Sequence, residues 1–389
     1  MPPRNRFAEL LPEITGWRRD LHEHPELAFD VHRTAARVAE LCREFGCDEV
    51  VTGIGKTGVV ALIRGRRSGS GRVVGLRADM DALPILEQTG AAHASKTQGK
   101  MHACGHDGHT AILLGAAKHL AETRAFDGTV ALIFQPAEEI GGGGLAMIED
   151  GVMERFGISE VYGLHSSPGL PVGEFALCPG PMMASSDDFT ITVTGKGGHA
   201  ALPHRAIDTT LVACHIVVAL QSIASRNIDP MESVVVTVGT FTTDSNAPNV
   251  IAHTVVMTGT VRTLAESARD LAEARVAEIA RATAEAYGAR AEVAYQRTCP
   301  VTVNSVAETE FAALAAETVA GQVNRQRRPT MGSEDFSFML QARPGAFVFL
   351  GNGASAGLHH PAYDFNDEAI PAGCSFFVTL IEQRLPLAA

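Results

Sequence analysis

The sequence predicts a layered α/β domain on a central mixed sheet, interrupted by a smaller α+β unit of the ferredoxin-like type. Three observations carry this. Helix-like and strand-like patterns alternate up to about Met183, as in layered α/β domains. A βαββαβ order follows, which is the split βαβ arrangement. Residues able to bind metal or move protons follow strand-like runs on both sides of that insertion, as on the carboxyl-end rim of an α/β sheet. The expected boundaries are 1–183 and 300–389 for the large domain and 184–299 for the insert.

In the large domain, helical periodicity covers Phe7–His24 and His32–Phe45, and strand patterns cover Val59–Arg64 and Arg72–Arg77. The segment Leu76–Asp81 ends in carboxylates, and an apolar helix pattern runs from Thr110 to Ala121. Thr129–Phe134 reads as a buried strand leading to Gln135-Pro136-Ala137-Glu138-Glu139 and then, after Ile140, four glycines. Val161–Leu164 ends in His165, and Ala346–Leu350 leads through a Gly-rich loop to His359-His360-Pro361. Punctuation is heavy at Pro179-Gly180-Pro181. The insert then reads as strand Asp188–Thr194, helix Ala206–Ser225, strands Ser233–Phe241 and Val250–Arg262, helix Ala265–Tyr287 and strand Ala291–Gln296. A four-stranded sheet with an exposed edge is a natural dimerisation element.

Composition suits an enzyme. The 389 residues are 46% hydrophobic and 20% charged, enough for one large core and a second smaller one. A net charge of −12, from 32 basic and 44 acidic residues, argues against a nucleic-acid partner, since phosphate binding needs basic patches. No stretch reads as a membrane span, and MPPRNRFAEL lacks a signal-peptide core. Seven cysteines, an odd and scattered set, point away from a disulfide framework and towards a reducing cytoplasm. All except Cys104 read as small buried apolar residues.

Cys104 differs because of its neighbours. His102-Ala103-Cys104-Gly105-His106-Asp107-Gly108-His109 places four metal- or proton-competent side chains among two glycines that let the backbone bend. Thiolate, imidazole and carboxylate ligands together admit zinc, manganese, nickel or cobalt. Of the adjacent carboxylates Glu138 and Glu139, one can hold metal while the other carries a proton, because successive residues point in different directions.

These segments resemble the metal-dependent aminoacylase and carboxypeptidase family, in the branch with hippurate hydrolase and the indole-acetyl-amino-acid hydrolases. The resemblance rests on RRDLHEHPEL, LRADMDALPI, GKMHACGHDGHT, IFQPAEE, MMASSDDF, GKGGHAALPH, NVI, GTVRT, GSEDF and LHHPAYDFND. It implies a zinc-aminopeptidase-like catalytic domain and an inserted lid and dimerisation domain. It implies two divalent metal ions per subunit, held by Cys104, His106, Glu139, His165 and His359. Glu138 resembles the general base and Asp81 the carboxylate supporting the metals. His199 resembles an oxyanion-stabilising residue that reaches the metals of a dimer partner. Asn249 and Arg262 resemble substrate-holding lid residues, with a strand-edge ion pair as the alternative for Arg262. His102 and His109 are expected to orient the loop, His360 to sit on the rim, and Ser333–Phe336 to form a supporting loop. His22, His24, His32, His119, His215 and His253 need no special role.

Two departures from the family pattern stand out. Ser166 and Ser167 follow His165 where hippurate-hydrolase relatives often have an amide and an aromatic residue, which suggests a wider or more polar pocket. Ala252 replaces the usual proline after NVI. The resulting expectation is a cytoplasmic homodimeric amidohydrolase that cleaves N-acyl amino acids. A carboxypeptidase or dipeptidase of the same fold is the alternative, and a non-catalytic metal- or ligand-binding protein is the more distant one.

Overall fold

The computed structural model describes residues 3–387, so Met1 and Pro2 of the N-terminal stretch lie outside it. The chain forms two compact units. One comprises the chain up to Met182, Val303–Arg328 and the chain from Asp335; the other comprises Met183–Thr302 and Pro329–Glu334.

The first unit is built on an eight-stranded mixed sheet. From one edge its strands are Glu49–Ile54, Gly58–Arg64, Thr129–Gln135, Val73–Asp79, Glu160–Pro168, Gly345–Gly353, Phe175–Ala176 and Val323–Asn324. Four adjacent members, from Thr129–Gln135 to Gly345–Gly353, run parallel. Their carboxyl ends therefore emerge at one rim. These strands are rich in Val, Ile, Leu and Phe and are buried along nearly their whole length, as a sheet covered on both faces requires.

The helix His106–Thr123 is buried on almost every side, which explains the apolar run Ala111–Ala117 at its centre. It packs against Pro3–Glu23, His32–Glu44 and Ile370–Arg384 and against the central strands. The helix begins four residues before the expected Thr110, because Gly105 takes φ +87° and turns the chain into it. A side chain at Gly105 would also meet Ser166 Oγ and Tyr363 Oη at 2.6 Å. His106 and His109 thus stand on a rigid helix rather than on a loop. His165 likewise lies inside Glu160–Pro168 and not after it.

The second unit has an antiparallel sheet in the order Val234–Thr243, Thr254–Thr263, Ser186–Thr194, Arg290–Cys299. Helices Thr209–Leu220 and Glu266–Ala286 pack on it around Phe189, Ile191, Val193, Ile216, Val255, Met257 and Val276. The element order is βαββαβ. Asp208 caps the first helix by accepting from the amides of Thr210 and Leu211, both at 3.1 Å, an interaction of about 1 kcal/mol.

Three expectations are corrected here. Val250–Arg262 is not one strand: Val250–Ile251 pairs instead with Gly198–His199, and Thr254–Thr263 forms the sheet strand. Thr209–Asn227 is long and apolar enough by composition to cross a membrane, although the sequence reading found no such stretch. One face of it, with Val212, Ala213, Ile216, Leu220 and Ile223, is buried in the unit's own core. Cys214 is exposed and Cys47 only half-buried, so not every cysteine is a core residue.

Candidate active site

Four parallel strand ends bring most of the expected residues together in the first unit. Cys104, His106 and His165 present ligand atoms within 4.8 Å of one another. So do Cys104, Glu139 and His359, and so do His106, Glu138 and Glu139. Cys104 Sγ lies 3.3 Å from His165 Nε2, and His359 Nε2 lies 3.4 Å from Glu139 Oε2.

Hydrogen bonds fix which imidazole atoms are free. His165 Nδ1–H donates to the Ser166 carbonyl at 2.7 Å, so its Nε2 carries the lone pair that faces Cys104. His109 Nδ1–H donates to Asp79 Oδ1 at 2.7 Å, and its Nε2 accepts from the Ser166 amide at 2.8 Å. Both nitrogens of His109 are occupied, and the residue orients the His165 strand. Neither ring nitrogen of His106 has a hydrogen-bond partner, although the side chain is fully buried.

Asp81 acts on the carboxylate pair through the backbone. Its two oxygens accept from the amides of Glu138, at 3.0 Å, and Glu139, at 3.2 Å. Its Oδ1 is also 3.5 Å from His106 Nδ1. Ala137, just before the pair, is held at φ +55°, and His359 at φ +62°. Non-glycine residues in this region cost energy and persist where the surroundings impose them. At Ala137 the amide donates to the Ala28 carbonyl at 3.1 Å, and at His359 the amide donates to Ala103 at 2.8 Å. The turn after Glu139 requires Gly143, since a Cβ there would lie 1.6 Å from the Pro136 carbonyl oxygen.

The electrostatics call for a cation. Burial, reinforced by Glu139, holds the Cys104 thiol well above its ordinary pKa, and burial raises Glu139 to about 7. Burial followed by His109 keeps His165 neutral. Burial opposes the His106 imidazolium, but Asp79, Asp81 and Cys104 outweigh it and hold that pKa well above normal. Thiolate and carboxylate can ionise together here only if positive charge is close. The nitrogens of His106 and Glu139 Oε1, which have no hydrogen-bond partner among the described residues, complete a donor set of thiol, imidazole and carboxylate that fits divalent metal.

A buried ionic lattice that the sequence reading did not assemble lies beneath this cluster. Arg77 donates to Asp79 Oδ2 at 2.8 Å, Gln135 Oε1 at 2.9 Å and Asp335 Oδ1 at 3.2 Å. Asp335 also accepts from Gln135 Nε2 at 2.6 Å and the Gly144 amide at 2.8 Å. The available signal was an arginine inside an otherwise apolar buried strand. A second network joins Arg18, His22 and Asp107: His22 Nδ1–H donates to Asp107 Oδ2 at 2.8 Å, and Arg18 Nε forms an ion pair with the same oxygen at 2.9 Å. His22, expected to need no role, therefore anchors the helix that carries His106. His102 is fully buried with neither ring nitrogen hydrogen-bonded, and burial lowers its pKa to about 3. Ser166 is buried, with Oγ 3.0 Å from Tyr363 Oη and donating to Cys104 O at 3.3 Å. His360 is exposed, its Nδ1 accepting from the Ala362 amide at 3.0 Å.

In the second unit, His199 and Asn249 are neighbours: His199 is in register with Val250, and the Ala200 amide donates to the Asn249 carbonyl at 3.0 Å. His199 Nδ1 accepts from the Ala201 amide at 3.1 Å, which leaves Nε2–H as an exposed donor. Arg262 hydrogen-bonds Thr260 Oγ1 and the Val261 carbonyl. Among the described residues it has no ion-pair partner, which removes the strand-edge salt bridge.

Comparison with known proteins gives the same picture. Peptidase family M20/M25/M40 matches residues 75–383. A hippurate hydrolase of Campylobacter jejuni is 42% identical over 96% of both chains. An N-acetylcysteine deacetylase of Bacillus subtilis is 41% identical over 94% of this chain and 95% of its own. The crystal structure of a Bacillus subtilis dinuclear metal-binding peptidase of the M20 family superposes with a TM-score of 0.85 at 36% identity, covering 97% and 99% of the two chains. With cluster, fold and relatives in agreement, this chain belongs to peptidase family M20/M25/M40 and is a metal-dependent amidohydrolase.

Proposed function

We propose that this protein hydrolyses the amide bond of N-acyl amino acids, releasing a carboxylic acid and a free amino acid. The observation that carries the reading is the placement of two adjacent carboxylates on one turn, both oriented by Asp81, beside the Cys104, His106, His165 and His359 donors. In this reading Cys104, His106, Glu139, His165 and His359 hold two divalent metal ions of manganese, zinc, nickel or cobalt type. When bound, such ions lower the pKa of water from 15.7 to roughly 7 and polarise the scissile carbonyl.

The chain's own groups do the rest. Glu138 takes the proton of the attacking water and returns it to the leaving nitrogen, which otherwise departs as an unstable amide anion. Asp81 keeps Glu138 and Glu139 in their separate roles through the two amide bonds. His199, with Nε2–H exposed, suits donation to the oxyanion that develops on the carbonyl. Asn249 and Arg262 hold the substrate, the guanidinium, without an ion-pair partner among the described residues, suiting the amino acid's carboxylate. We assign the second unit the roles of lid and dimerisation element, supported by the outer strand Val234–Thr243 with exposed Val235 and Phe241. The homodimer is expected in the cytoplasm, where a reducing environment protects the Cys104 thiol.

Relatives named for hippurate and for N-acetylcysteine support the substrate class. A panel of N-acetyl, N-benzoyl and dipeptide substrates, assayed with each of the four metals, tests it. Turnover confined to dipeptides would favour a dipeptidase, and absence of metal-dependent turnover on every compound would overturn the reading.

A further inference from the structure

The first unit pairs its buried arginines with carboxylates. Arg18 meets Asp107 and Asp367, Arg77 meets Asp79 and Asp335, and Arg384 meets Glu160. Arg327 breaks this pattern. Its side chain is partly buried, its Nε is shielded from solvent without a hydrogen-bond partner, and among the described residues no carboxylate forms an ion pair with it. The guanidinium stands over an aromatic ring instead, with Cζ 3.9 Å from the centroid of Phe349. The Arg327 amide donates to the Leu177 carbonyl at 3.3 Å, which ties this segment to the sheet.

Phe349 places that cation beside the metal cluster. It is in register with His165 on the neighbouring parallel strand, so both side chains project from the same face of the sheet. The two rings are 6.4 Å apart. A partly desolvated guanidinium with no counter-ion is unfavourable in the free protein, and stacking on an aromatic face recovers only part of that cost. An anion arriving with the substrate would recover the rest. The planar fork matches a carboxylate bidentately.

We propose that Arg327, supported by Phe349, forms a carboxylate-binding subsite beside His165 that selects substrates carrying an anionic group. The inference rests on the amide-hydrolase reading above and adds to it a substrate class. The two sources are a second carboxylate on a dicarboxylic acyl group, such as succinyl, and the α-carboxylate of the amino acid, which in that case Arg327 rather than Arg262 would bind.

The test compares wild type, Arg327→Leu and Arg327→Lys on three compounds sharing an amino acid that the wild type turns over. These are its N-succinyl derivative, its N-butyryl derivative and the N-butyryl amino-acid amide. Removing a charge-assisted bidentate pair is expected to lower kcat/KM by roughly 10- to 100-fold, mainly through KM, with partial recovery in Arg327→Lys. A loss confined to the N-succinyl compound supports the subsite and assigns it to the acyl group. A loss on both acids but not on the amide supports it and assigns the α-carboxylate. No loss, or an equal loss on all three, overturns it. Calorimetric titration with succinate and with butyrate reads the subsite without turnover: binding of either acid that weakens at least about tenfold in Arg327→Leu supports it, and binding of both acids unchanged by Arg327→Leu overturns it. If the wild type hydrolyses no acyl amino acid, the amide-hydrolase reading fails, and the titration alone decides the subsite.

Discussion

Replacing Asp79 by asparagine tests whether the buried lattice beneath the cluster holds the site. Arg77, Asp79 and Asp335 have fully buried side chains, so Arg77 relies on those two carboxylates and on Gln135 for compensation. The amide oxygen of the new side chain still accepts from His109, and the His109 ring keeps its orientation. What is lost is the Asp79 charge on a guanidinium that cannot reach water. Removing one partner of a buried pair costs about 3–5 kcal/mol. The lower end applies because Asp335 remains 3.2 Å away. At roughly 2–4 °C per kcal/mol for a domain of this scale, the melting of the first unit should fall by about 6–12 °C. Thermal unfolding followed by near-UV circular dichroism measures this, alongside the same experiment on Arg77→Met and on the double variant. The double variant should be less destabilised than the two single losses combined, since no unpaired charge is then left buried. A fall of less than about 2 °C in Asp79→Asn, or strict additivity, would show that the lattice is not electrostatically coupled.

Three further outcomes are expected. Glu138→Gln should retain its metals, because Glu139 and the histidines remain, while turnover drops by roughly 10²- to 10⁴-fold; metal analysis with steady-state kinetics decides, and loss of metal or an unchanged rate would refute the role. His22 is raised from 6.5 to about 9, burial opposing the charge but Asp107 outweighing it. Its stabilising contribution is therefore full below about pH 6.5 and lost as pH rises through 9. The gap in urea midpoint between wild type and His22→Gln should close across that window, and a constant gap would contradict it. His199→Ala and Glu138→Ala should each be nearly inactive, whereas co-refolding them should restore about a quarter of wild-type activity if His199 serves the partner subunit. Subunit exchange without recovered activity would place His199 in its own chain's site or outside catalysis.

The sequence by itself determined the donor types and most of the element types. Cys104, His106, Glu138, Glu139, His165 and His359 were legible mainly through motifs that resemble a known family, with the apolar runs before Glu138 and His165 adding a local signal. Hydrophobic periodicity and ligand chemistry are local properties of a chain. Element ends were less legible: the start of the helix at His106 depends on a left-handed Gly105, and the separate pairing of Val250–Ile251 with Gly198–His199 depends on a distant partner. Tertiary structure alone decided the rest. Four parallel strands had to be adjacent before their ends could form one cluster. The carboxylate of Asp335 that meets Arg77 lies 258 residues further along the chain. The Ser166 amide that fixes the tautomer of His109 is 57 residues away. That Arg327 has no ion-pair partner among the described residues is visible only once its neighbours are placed. Charge compensation in a protein interior is set by non-local contacts, and those are fixed when the sheet assembles.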